Sequence, residues 1–137
     1  MALHATNMNL YLVAAAVLAF VIGLVHSVLG ERLIFRRLRT GQLVPTNGGT
    51  VLREDHVRIL WASWHVLSVF GWGIAAILLS LSFQALPGRE AAFIERSIVI
   101  SMLCGAMLVF VGTRAKHPGW VGLLGVAALT WLGTLTQ

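Results

Sequence analysis

Long apolar stretches constrain this chain more than any other feature of its sequence. A helix needs about 20 apolar residues to cross the hydrocarbon core of a bilayer. Of the 137 residues, 58% are hydrophobic and only 11% are charged, whereas about a quarter of residues are charged in soluble domains. The apolar stretches run over 10–29, 57–81, 91–111 and 120–135. We therefore predict an all-α integral membrane protein, a four-transmembrane-helix bundle that forms a single domain over 1–137.

The positive charge is concentrated in two of the connections between these stretches. Eight of the ten Lys and Arg residues lie in or beside the first and third connections, and the other two flank the start of the third stretch. Because cytoplasmic loops carry an excess of Lys and Arg, this bias places both connections in the cytoplasm and both termini outside it. The formal charge of +5 thus indicates topology rather than a nucleic-acid partner. We expect a bacterial-type inner membrane.

The first connection is the only one with room for structure of its own. Over residues 31–39, helical spacing separates apolar residues from arginines, which predicts a short interfacial amphipathic helix at the headgroup level. The Gly, Pro and Asn residues of 40–50 then predict a turn. Anionic lipid headgroups are the expected partners of this basic segment, at Arg32, Arg36, Arg37 and Arg39.

Two histidines fall inside predicted spans. His26 lies five residues before Glu31 at the inner end of the first span, and His65 lies seven residues after Arg58 in the second. At 1.5 Å per residue, both are about 7 to 11 Å inward from those charged residues. An ionisable side chain in a membrane helix is costly and normally faces the protein interior. These two histidines are therefore the first candidates for a functional site.

The second span carries polar and aromatic residues along one line. Spacings of four and three place six residues within about 40° of a common direction, namely Glu54, Arg58, Trp61, His65, Ser68 and Trp72. The first span offers a complementary seam of small residues with one histidine, namely Ala16, Ala19, Gly23, His26 and Gly30. If the two lines face each other, the seam leaves space for the tryptophans and brings His26 near His65.

These residues are compatible with two kinds of cofactor. Imidazole and carboxylate groups are ligands of zinc and copper, and the candidate metal ligands are His26, His65, His117, Glu31 and Glu54. A haem held by His26 and His65 would use the small residues for space, with Trp61 and Trp72 around it. The sequence contains neither an H-E-x-x-H motif nor a c-type haem attachment motif. We attribute Ser27 to helix packing and Glu95 to the outer membrane interface.

Three functions remain open from the sequence. The first is a histidine-centred ligand site, for a transition metal or haem, near the cytoplasmic leaflet. The second is a non-catalytic accessory or assembly subunit of a larger membrane complex, which the small extramembrane portion favours. The third is a small proton-coupled transporter, expected to be a homo-oligomer, in which protonation of His65 or Glu31 changes the packing. Since no catalytic signature occurs, we assign no catalytic residues and expect a role other than that of an enzyme.

Overall fold

The computed structural model describes residues 8–83 and 88–136. These residues form four α-helices, namely α1 (Leu10–Leu33), α2 (Glu54–Ser82), α3 (Gly88–Gly112) and α4 (Gly119–Thr134). The first three are long and apolar enough to cross a membrane, whereas α4 has 16 residues. Large apolar side chains stay exposed on every helix, including Leu10, Leu67, Leu108 and Val121. Lipid tails are as apolar as leucine and accommodate such a surface. The all-helical prediction is confirmed.

The helices extend beyond the apolar stretches that predict them, and the charged residues gained by α1 and α2 matter most for the site. α1 continues to Leu33 rather than ending at residue 29, and α2 begins at Glu54 rather than at residue 57. Glu54 and Asp55 occupy the first turn of α2, where negative charge interacts favourably with the helix dipole. The extra turn of α1 carries Glu31, which makes polar contacts described below. Hydropathy alone misses these polar turns because it detects only their apolar neighbours.

The chain divides into two compact units, and the first comprises Met1–Phe20 with Gly73–Gln137. In its described part, α3 packs against α4. Asn9 caps the start of α1, since its Oδ1 accepts hydrogen bonds from the backbone N–H groups of Tyr11 and Leu12. Its Nδ2 donates to the carbonyl of Gly133 at 2.9 Å, which joins the start of α1 to the end of α4. Glu95, expected at the outer interface, is instead fully buried.

The second unit, Val21–Trp72, contains the end of α1, the first connection and the start of α2. The predicted amphipathic helix over 31–39 does not form as a separate α-helix. Residues up to Leu33 belong to α1, and a single 3-10 turn follows at Phe35–Leu38. Phe35 is 3% exposed because it packs against aromatic rings of α2. Phe35 is therefore covered by protein, whereas Ile34 stays 41% exposed, and the burial of Phe35 favours folding of the segment back onto α2.

The rest of the first connection is a turn, as its composition predicts. The backbone N–H groups of Thr46 and Asn47 both donate to the carbonyl of Leu38, at 3.1 and 2.9 Å. Gly41 and Gly49 have φ values of +94° and +65°, which glycine adopts without a steric penalty. This turn carries the chain back to the start of α2 and leaves Arg53 and Glu54 exposed.

Candidate functional site

Glu31, in the last turn of α1, is the centre of a polar cluster. Its Oε1 lies 2.7 Å from Nη2 of Arg39, just after the 3-10 turn. Its Oε2 accepts a 3.3 Å hydrogen bond from Nε1 of Trp61 and lies 3.7 Å from Nε2 of His65. The side chains of Glu31, Arg39 and His65 are between a quarter and a third exposed. The carboxylate therefore faces two cationic or titratable side chains at the edge of the unit.

His65, one turn beyond Trp61 on α2, has a polar neighbour at each ring nitrogen. Its Nδ1 lies 2.9 Å from Oγ of Ser27, and its Nε2 faces Glu31. The 3.7 Å between Nε2 and Oε2 exceeds the distance of a hydrogen bond. A protonated imidazole would carry N–H groups on both nitrogens and could donate to both neighbours. The geometry therefore places one polar side chain beside each ring nitrogen of His65.

His26 is held by Trp64 of α2. The two rings stack with centroids 4.2 Å apart and planes 8° apart, and Nε1 of Trp64 donates to the carbonyl of His26 at 3.0 Å. This close approach requires Gly30, because a Cβ at that position would overlap the indole ring. Phe35 contacts the edges of Trp64 and His65, with centroid distances of 5.7 and 6.0 Å. Both histidines therefore belong to one cluster.

The predicted seam between the first two spans is present in this unit. Gly23 of α1 faces Trp72 of α2, since a Cβ on Gly23 would lie 2.8 Å from the indole Nε1. Together with the contacts of Trp61, His65 and Ser68, this arrangement shows that the inner part of the predicted line of α2 faces α1. The outer members, Glu54 and Arg58, are exposed. The space that the small residues provide is filled by the indoles of Trp64 and Trp72, where the haem hypothesis needs room for a porphyrin.

Two other predicted site residues, Glu54 and His117, make contacts of their own. Glu54 and Arg58 form an exposed ion pair with each other at 2.6 Å, at the favourable i,i+4 spacing. His117 belongs to the first unit and accepts a 3.0 Å hydrogen bond from the backbone N–H of Gly119 at its Nδ1. Across residues 8–83 and 88–136, no three His, Cys, Asp or Glu side chains are grouped so that they could hold a metal ion.

The four arginines of the basic segment differ in exposure, which the sequence does not predict. Arg32, Arg36 and Arg37 are exposed, as contact with lipid headgroups requires. Arg39 is only 26% exposed and pairs with Glu31. One of the four predicted lipid contacts is therefore a member of the polar cluster.

Sequence reasoning also missed Ser27, Trp64 and Phe35 as members of this cluster. The sequence indicates only a packing role for Ser27, yet its Oγ lies 2.9 Å from both Nδ1 of His65 and Oγ of Ser68. The available signal was the four-residue spacing of Gly23, Ser27 and Glu31, which places them on one face of α1. Trp64 lies outside the predicted line of α2, which is only about 40° to either side of one direction. A buried helix face is at least 100° wide and can include it.

The chain matches no protein-family profile, and no curated protein and no solved structure matches it significantly. The function must therefore be inferred from the geometry of the cluster.

Proposed function

We propose that this chain is a four-span integral membrane protein that works as a small proton-coupled transporter, with His65 and Glu31 as its proton-binding site. The charge bias of the loops supports a topology with both termini outside and the first connection in the cytoplasm. In that topology the proton site lies toward the cytoplasmic leaflet. The observation that carries the proposal is the 3.7 Å separation between Nε2 of His65 and Oε2 of Glu31.

Proton uptake would change this contact directly. A proton on Nε2 converts it into a charge-assisted hydrogen bond, for which nitrogen and oxygen are about 2.7 to 2.9 Å apart. Closing the gap requires a relative movement of about 1 Å between Glu31 and His65. Glu31 is also bound by Arg39, which follows the 3-10 turn, so this movement would disturb the contact between the carboxylate and Arg39. Histidine changes its charge between pH 5 and 8, which suits a site that responds to cellular pH.

The test is hydrogen–deuterium exchange of residues 34–39 in protein reconstituted in lipid bilayers, compared between pH 8 and pH 5. After correction for the intrinsic pH dependence of exchange, we expect exchange in this segment to increase at pH 5 as Glu31 moves toward His65. His65→Gln should abolish the increase. His56→Gln is the matched control, since His56 is an exposed histidine of the same helix.

If His65→Gln keeps the wild-type response to pH, the proton site is elsewhere and the proposal fails. Glu31→Gln provides an independent check, because it removes the negative charge but preserves the size of the side chain. We expect this variant to lose the response as well, while Glu54→Gln, which removes an exposed carboxylate at the start of α2, should retain it.

A transition-metal site is the second candidate, and the same pair of atoms favours it. Zinc binds imidazole nitrogen and carboxylate oxygen at about 2.0 to 2.2 Å, so one ion could bridge Nε2 and Oε2 across their 3.7 Å gap. Zinc usually has four ligands, and the described residues supply this pair without a third member. Elemental analysis after chelator-free purification tests it. If the wild type contains one equivalent of zinc or copper and His65→Gln contains none, the pair is a metal site and the proton proposal fails.

Haem and a partner complex were the other hypotheses. Haem receives less support from this geometry because Trp64 and Trp72 fill the space beside Gly30 and Gly23. A haem-bound protein would show a visible absorption band that His65→Gln removes. The accessory-subunit role and binding of anionic lipid remain predictions. Co-purification of a stable complex under mild detergent would support the former.

A further inference from the structure

Two serines, the half-buried Ser27 and the buried Ser68, continue the cluster inward from His65. Oγ of Ser27 lies 2.9 Å from Nδ1 of His65 and 2.9 Å from Oγ of Ser68, to which it donates. Ser68 is only 2% exposed. The close approach at Gly23 helps to place these groups, because a Cβ there would lie 3.2 Å from the carbonyl of Ser68. Gly23 precedes Ser27 by one turn, so it lets α1 approach α2 just where the two hydroxyls meet.

The direction of these hydrogen bonds determines the tautomer of His65. A serine hydroxyl has one hydrogen and can accept at its oxygen. The geometry between the two hydroxyls assigns the hydrogen of Ser27 to Ser68, which leaves Oγ of Ser27 to accept from His65. Neutral His65 must then carry its hydrogen on Nδ1, and its Nε2 retains a lone pair. That lone pair faces the carboxylate of Glu31, which also lacks a hydrogen, and two acceptors do not form a hydrogen bond.

We propose that Ser27 and Ser68 are positioning residues that keep neutral His65 in the Nδ1–H tautomer. This inference rests on the proposed proton site and assigns the nitrogen that receives the proton. With Nε2 vacant, the incoming proton is added on the side of Glu31, where the new positive charge meets a carboxylate. In the opposite tautomer, Nε2–H would already donate to Glu31, and the vacant Nδ1 would face the hydroxyl of Ser27.

Removing the Ser68 hydroxyl should move the hydrogen of neutral His65 from Nδ1 to Nε2. In Ser68→Ala, the hydrogen of Ser27 loses its acceptor and can rotate to donate to Nδ1 of His65. Nε2 then carries the ring hydrogen and donates it to Glu31. The variant therefore makes the contact between His65 and Glu31 before any proton is taken up, so its segment 34–39 should already exchange at pH 8 as the wild type does at pH 5.

The experiment is nitrogen-15 NMR of histidine-labelled protein in bilayers at pH 8, where the nitrogen without a hydrogen resonates far downfield of the N–H nitrogen. Signals of His65 are identified as those lost in His65→Gln. We expect the wild type to carry the hydrogen on Nδ1, and Ser68→Ala to carry more than half of it on Nε2. Ser27→Ala should populate both tautomers, because it removes the acceptor of the Nδ1–H group, whereas Ser27→Thr retains the hydroxyl and the wild-type tautomer.

Ser63→Ala is the matched control. Ser63 is an exposed serine of α2 whose hydroxyl donates to the carbonyl of Ile59, and its removal should leave the His65 signals unchanged. A wild-type protein with the hydrogen on Nε2 overturns the inference, as does a Ser68→Ala protein that keeps the wild-type tautomer. Because the readout is taken at pH 8 on the neutral ring, it is independent of whether the pH response of segment 34–39 occurs.

Discussion

The contact between Gly30 and Trp64 gives two opposite expectations for one substitution. Alanine is favoured over glycine in a helix by up to about 1 kcal/mol, so propensity alone predicts that Gly30→Ala stabilises α1. A Cβ at this position, however, would overlap the Trp64 indole. The indole must move, and it would lose its hydrogen bond to the carbonyl of His26 and its stacking on the imidazole.

The change in the free energy of unfolding can be estimated from these lost contacts. The hydrogen bond contributes about 1 kcal/mol and the ring stacking about 0.5 to 1.5 kcal/mol. Rearrangement around the added methyl costs about 1 to 3 kcal/mol. After the gain in helix propensity of about 1 kcal/mol, we expect Gly30→Ala to lower the free energy of unfolding by about 1.5 to 4.5 kcal/mol. For a chain of this size, that change lowers the Tm by roughly 5 to 18 °C.

Thermal unfolding in mild detergent, followed by circular dichroism, measures this difference. Gly73→Ala is the matched control, because a Cβ on this glycine of α2 would meet nothing within 4 Å. The control should leave the Tm unchanged or raise it slightly. If Gly30→Ala and Gly73→Ala have the same Tm, Trp64 is not packed against Gly30 and the arrangement of the cluster is wrong. Trp64→Phe should recover part of the loss in the Gly30→Ala background, since it removes the overlapping indole nitrogen.

Other contacts give further expected outcomes. Asn9→Ala should lower the free energy of unfolding by about 2 kcal/mol, because it removes the cap of α1 and the bond to Gly133; Asn9→Asp, which keeps the cap, should lose less in the same thermal assay. His117→Ala should cost about 1 kcal/mol through the lost hydrogen bond to Gly119, and an equal Tm for His117→Ala and wild type would contradict this. A cysteine at Arg36, in a background where the native cysteine is serine, should react with a membrane-impermeant maleimide only from the cytoplasmic side; labelling from outside would contradict the topology.

The helical fold and the face of α2 were predictable because they depend on periodicity alone. Long apolar stretches predict helices, and spacings of three and four place Trp61, His65 and Trp72 on one face. The glycines of α1 were predictable in the same way, because the large rings of α2 need small residues opposite them. Neither the helices nor this face depends on how individual side chains are oriented.

The membership of the polar cluster was harder to predict, for two physical reasons. Arg39 carries the same charge as its neighbours, and only the fold of the 3-10 turn directs it to Glu31 rather than to lipid. The role of Ser27 depends on the direction of one hydroxyl hydrogen, which spacing does not encode. Glu95 shows the same limit, because a carboxylate near a helix start is usually exposed and here it is buried.

The most direct test of the proton site is the distance between His65 and Glu31 at two pH values. Solid-state NMR dipolar recoupling between labelled Nε2 of His65 and the labelled carboxyl carbon of Glu31 measures it in bilayers. We expect the separation at pH 8 to match the present structure, with Nε2 and Oε2 3.7 Å apart. At pH 5 it should shorten by about 1 Å as a charge-assisted hydrogen bond forms. An unchanged distance while His65 becomes protonated would contradict the proposed coupling.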